Sequence, residues 1–160
     1  MMKLMNTVAH VLERIGAMLD WLPPLVSRFA VGVGFVITGW GKIHHFDKVI
    51  NFFTNLKIPH PEFAAHLTGF SELIFGLLVV IGLATRLSVI PLIIVMITAM
   101  ATATFPGFAA DSSSDLSTYL LSEELLIAII LLWLFIRGAG AVSVDGLIKH
   151  FTRGSEKTEH

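Results

Sequence analysis

Three apolar runs, at about residues 25–43, 61–83 and 87–105, each approach the roughly 20 residues that a helix needs to cross a bilayer. A fourth, at about 119–136, holds two carboxylates, Glu123 and Glu124, near its start. Lipid offers no partner to an unpaired backbone N–H or C=O, so runs of this kind fold as helices that satisfy their own backbones. The expected fold class is an all-α membrane protein: a four-transmembrane-helix bundle with an N-terminal amphipathic interfacial helix and a short C-terminal interfacial helix. Composition agrees, since only 14% of the 160 residues are charged, against about a quarter in soluble domains. The length suffices for one small bundle and no second domain.

Ahead of the first run, Leu4, Val8, Val11, Leu12, Ile15, Met18, Leu19 and Leu22 recur at helical spacing, with Asn6, His10, Glu13, Arg14 and Asp20 on the other face. That pattern predicts an amphipathic helix over 1–23 lying in the membrane interface, with Trp21 at headgroup level and Pro23-Pro24 turning the chain inward. Glu13, Arg14 and Asp20 interrupt what would be the apolar region of a signal peptide, so none is expected. The membrane domain is expected over 24–153 and a flexible tail over 154–160. Residues 44–60 form a polar loop with a short amphipathic piece at 49–56, and Pro61 suits the first position of the second helix. Residues 82–86 make a short turn, 109–118 a loop, and Val144, Leu147, Ile148 and Phe151 mark the C-terminal interfacial stretch.

Orientation follows from Lys and Arg. With four spans, the termini share a side with the 82–86 turn and collect Lys3, Arg14, Arg28, Arg86, Arg137, Lys149, Arg153 and Lys157. The opposite side has only Lys42, Lys48 and Lys57, so the positive-inside rule predicts that both termini are cytoplasmic.

Charges within or beside such runs are costly unless paired or hydrated, which makes them the first candidates for function. At about 1.5 Å per residue, Glu72 lies about 8 Å below the outer apolar boundary near Leu67. Lys42, Glu72, Glu123 and Glu124 then form an outer polar layer. Arg28, Arg86 and Arg137 form an inner one, with Asp145 as the nearest acid, and this separation disfavours a Glu72–Arg28 pair. Ala65, Gly69, Glu72 and Gly76 share one helical face, which aims Glu72 into a close helix–helix seam. Gly32, Gly34, Gly39 and Gly41 give room on the first span, and Glu124, with Ala128 on its face, is the better inward candidate of the two late acids. The outer layer reads either as a site for a quinone headgroup, a proton or a small polar substrate, or as a buried ion pair that sets the bundle's register.

Other chemistries find no support in the residue pattern. No cysteine is present, so no iron–sulfur cluster, c-type haem or thiol chemistry is held by this chain. No two spans face each other with mid-membrane histidines, so no haem b is expected. His44, His45, His60 and His66 gather on the outer side and are candidate metal ligands, but no HxxxH spacing fixes a geometry. Met96 and Met100, one turn apart, read as core. A net charge of −1 argues against a nucleic-acid partner.

The arrangement of these residues resembles the DoxX family of small four-helix membrane proteins. The matching positions are Arg28, Gly39-Trp40-Gly41-Lys42, Glu72 with Gly76, Gly82-Leu83-Ala84-Thr85-Arg86, the acidic start of the fourth span, and Gly138-Ala139-Gly140-Ala141-Val142-Ser143-Val144-Asp145. The last is similar to the family's Gly-Pro-Gly-x-x-Ser-x-Asp ending, with Ala139 in place of proline. The resemblance implies association with membrane redox systems, among them thiosulfate:quinone oxidoreductase subunits and oxidative-stress complexes, or with metal-handling and peptide-modifying systems. Lacking its own redox group, such a chain needs a quinone or a protein partner subunit, or acts as a non-enzymatic scaffold or transport accessory; its other contacts are the lipid bilayer and, through small-residue seams, a homo-oligomer. Lys42, Glu72 and Glu124 are expected to make the outer site. Arg28, Arg86 and Asp145 are expected to make an inner structural network, with Ser143 or Asp145 capping the C-terminal helix.

Overall fold

A computed structural model describes Asn6, His10, Glu13, Arg14, residues 16–106, Ser117, residues 120–140 and residues 142–147. The secondary structure over these residues is helical: α1 Leu22–His44, α2 Phe46–Asn55, α3 Pro61–Ile81, α4 Thr85–Ala99 and α5 Glu123–Arg137. A π-helical turn, Met100–Thr104, continues α4. Three helical stretches are long and apolar enough to cross a membrane: Gly16–His44, Pro61–Ile81 and Thr85–Thr104. Their outward faces carry exposed Ile37, Phe63, Leu87, Ile90 and Ile97, an apolar surface of the kind that meets lipid.

The boundaries follow local chemistry. Prolines sit in the first turns of α1 and α3, where the missing N–H has no intrahelical partner to lose. Gly82 ends α3 in the left-handed conformation at φ 70°, its N–H donating back to Leu78 and Val79. The expected fourth span is shorter than its apolar run: Leu121 lies in a turn and Ser122 is extended, so α5 starts at Glu123 and has 15 residues. Ser-Glu-Glu is a helix-start pattern, and it overrides the hydropathy of the residues before it. Of the segments expected to be interfacial, residues 1–5, 7–9, 11, 12, 15 and 148–153 lie outside the described residues, as do residues 107–116 and 154–160. Asn6, His10, Glu13, Arg14, residues 16–19 and residues 144–147 are helical.

Helix α1 packs most extensively on α3, and α4 packs on α5. The α1–α3 seam is built on glycine. A Cβ added at Gly39 would lie 2.6 Å from the Leu73 nitrogen, and one at Gly76 would lie 3.1 Å from the Gly32 carbonyl oxygen. Ala65, Gly69, Glu72 and Gly76 face this seam and are buried, as their spacing predicts. Of the four glycines on α1, Gly32 and Gly39 form the seam, whereas Gly34 and Gly41 face open space. On the other side, Val79, Val89, Leu92, Leu131 and Leu134 form the core, with Met96 packed against it. Gly39→Ala therefore forces two backbones apart and should cost about 1–3 kcal/mol of stability. Gly34→Ala should be neutral or slightly stabilising. Thermal unfolding in mild detergent distinguishes the two; equal midpoints would contradict the seam.

Candidate functional site

Close approach at Gly39 brings α1 near enough for Lys42, one turn further on, to reach Glu72. Lys42 Nζ donates to Glu72 Oε1 at 2.5 Å. The Glu72 side chain is 1% exposed and that of Lys42 28%. The lysine stem passes Gly69, where a Cβ would stand in ordinary contact, 3.5 Å from Lys42 Cβ. The second carboxylate oxygen, Oε2, is buried without a hydrogen-bond partner.

Both residues line a cavity of about 730 Å³ between α2, α3 and α4. Its walls are mainly apolar: Val49, Phe52 and Phe53 from α2 with Leu56 just after it, Leu67 and Phe75 from α3, and Pro91, Ile94 and Val95 from α4. Polar groups are few: Lys48, Thr68, Ser71, Thr98 and Thr102 beside the ion pair. A concave, mainly apolar volume of this size with a few convergent polar groups is the usual form of a small-molecule site. Two helix irregularities lie on its wall. Pro91 is internal to α4 and supplies no N–H to the ladder. The π-turn contributes Thr102 and Ala103, and such turns recur at functional sites.

At the opposite end, a polar clasp ties the chain's C-terminal turn to the bundle. Arg28, 3% exposed, donates from Nη1 to the Ala139 carbonyl at 2.7 Å and from Nη2 to the Val142 carbonyl at 2.8 Å. Ala84, the N-cap of α4, has no side-chain oxygen to offer. Asp145 supplies one from 61 residues away, accepting from Ala84 N at 2.7 Å and Thr85 N at 3.0 Å. Its own N–H donates to the Gly82 carbonyl at 3.0 Å. Only glycine fits at 82: a Cβ would lie 2.5 Å from Arg28 Nη1 and 2.7 Å from Ser143 Cβ. Ser143 Oγ accepts from Gly146 N at 3.0 Å and donates to the Gly140 carbonyl at 2.7 Å, so it caps the C-terminal helical turn. Arg86 Nη2 donates to the Ile136 carbonyl at 3.0 Å, at the end of α5.

A protein-family model, DoxX, matches residues 24–105, which is just over half of the chain. The chain belongs to the DoxX family. The match includes Arg28, Lys42, Glu72 and Gly82, and stops before the clasp's C-terminal half. No curated protein and no solved structure matches the chain.

Within this DoxX-family fold Arg28, Arg86, Ser143 and Asp145 all stand at the clasp. The Asp145 charge acts on Arg28 through space, while the hydrogen bonds of each residue go to the backbone. The guanidinium groups bind backbone carbonyls and the carboxylate binds backbone amides, because helix ends at the clasp present unpaired groups of both kinds. The expected outer layer divides. Glu123 and Glu124 stand in the first turn of α5, where carboxylates complement the helix dipole, and neither lines the cavity with Glu72. Glu124 is the more buried of the two. Arg137 meets Asp20 at 3.7 Å in an exposed pair.

The histidines are not gathered into a metal site. His44, His45 and His66 each place Nδ1 against the carbonyl one turn back, at 2.9, 3.1 and 2.8 Å. His66 also stacks on Phe46, with ring centroids 4.0 Å apart. His60 caps α3 in the left-handed region at φ 51°. Among the described residues no group of three or more His, Asp or Glu side chains could hold a metal ion. On α4 and its π-turn, Thr98 and Thr102 at helical spacing make a polar stripe with Ala99 and Ala103 beside it, and all four line the cavity; the walls on α2 are not apparent from residue spacing.

Arg28→Lys replaces the planar fork that spans the two carbonyls with a single point charge on a different stem and should lose about 1.5–3 kcal/mol. Asp145→Ala should lose about 1 kcal/mol with the cap of α4. Both are read as lowered midpoints in thermal unfolding, and unchanged midpoints would refute the clasp.

Proposed function

We propose that this DoxX-family protein is a bacterial inner-membrane, four-helix protein with both termini cytoplasmic. In this reading it serves as the membrane subunit or accessory of a redox or stress-response system, and the Lys42–Glu72 cavity binds a quinone headgroup or a similar small polar ligand. The observation that carries the reading is the cavity itself: an apolar volume of about 730 Å³ whose polar end is a buried carboxylate–lysine pair. Topology supports the fourth crossing. The turn after α5 is bonded to the α3–α4 turn through Asp145, so α5 runs back from the far end of α4. At about 1.5 Å per residue α5 is only about 22 Å long, and Ser117 and Leu120, also helical, precede it. Arginines at the clasp end support cytoplasmic termini.

A second reading is favoured by the burial of Glu72 in the glycine seam. There the pair sets the register of α1 on α3, and the protein is a scaffold that docks a partner. Solvent extraction of protein purified in mild detergent, with quinones quantified by mass spectrometry, separates the readings. The ligand reading predicts quinone co-purifying near one per chain and largely lost in Glu72→Gln. Absence of quinone together with no quinone-dependent thermal shift would leave the scaffold reading.

A further inference from the structure

The cavity's hydrogen-bonding groups are unequal in kind. Glu72 Oε1 is taken by Lys42, while Oε2 is buried with no donor among the described residues. Thr98 and Thr102 donate their hydroxyl protons to the Ile94 and Thr98 carbonyls, at 2.8 and 2.7 Å. What these two can offer a ligand is a lone pair. A buried acceptor left without a donor is costly, so the wall calls for a ligand that brings an N–H or O–H. A cationic donor is unsuited: Lys42 already balances Glu72, and an added charge in an apolar cavity is strongly penalised. That leaves a neutral donor. Phe52, Phe53 and Phe75 on the walls favour a flat ring through edge and stacking contacts.

We propose that the cavity selects a neutral, apolar ligand bearing an aromatic hydroxyl, held through Glu72 Oε2. Of a quinone–quinol pair it therefore prefers the reduced member, since only the quinol brings a proton for Oε2, whereas the oxygens of either ring can accept from Lys42, Lys48, Thr68 or Ser71 on the wall. This rests on the reading of the cavity as a ligand site, and makes Glu72 the residue that determines specificity.

The test is anaerobic titration of the full chain, in a detergent without hydroxyl groups, with five probes. Three are a short-chain ubiquinol, the matching ubiquinone and the dimethyl ether of the quinol, which keeps the shape and loses both donors. The others, 4-decylphenol and decanol, compare an aromatic with a lipid-like hydroxyl. The expected result is ubiquinol binding about tenfold or more tighter than its ether and than ubiquinone, decylphenol binding tighter than decanol, and loss of the preference in Glu72→Gln. Ubiquinone or the ether binding as tightly as ubiquinol would overturn the donor rule while leaving the cavity a ligand site. Decanol matching decylphenol would overturn the aromatic selection and point to a lipid alcohol. Binding of none of the five would remove the ligand site itself. The wild-type comparison decides even if Glu72→Gln does not fold.

Discussion

A lysine–glutamate pair in a glycine-walled seam is the contact on which this bundle depends. Glu72 is almost wholly buried on α3, and an unpaired carboxylate there would be strongly destabilising. Lys42 reaches it because Gly39 allows α1 to lie against the α3 backbone. The same contact sets the polar end of the cavity, so the register of two helices and the chemistry of the candidate site have one origin.

The opposite end is held differently. The clasp joins Arg28 and Asp145 through backbone groups of the turns they bridge, and it closes the chain's C-terminal turn over the start of α4. The two polar regions stand at opposite ends of the bundle, and the core between them is Val31, Phe35, Val79, Val89, Leu92, Leu131 and Leu134. Each end thus serves a separate purpose: one anchors the turns, the other combines a charge pair with open volume.

Much of this was legible from residue spacing, and the reason is helical geometry. Steps of three and four placed Ala65, Gly69, Glu72 and Gly76 on one face, and depth along each run put Lys42 at the level of Glu72. Depth alone misled for Glu123 and Glu124, because a shared level says nothing of the direction in which a helix faces. Depth placed Arg28 at the same end as Asp145, but its hydrogen-bond partners are the carbonyls of Ala139 and Val142; such groups are present in every residue and leave no mark in a sequence. Asp145 capping α4 from 61 residues away was hidden for the same reason. The cavity depends on how α2 folds against α3 and on the irregular course of α4, neither of which periodicity encodes.

The central claim is that Lys42 and Glu72 act as one unit. A double-mutant cycle of Lys42→Met and Glu72→Gln, with unfolding free energies measured in the same detergent, tests it most directly. The account predicts that each single change costs about 3–5 kcal/mol, and that the double variant costs far less than their sum. Additive losses would contradict it.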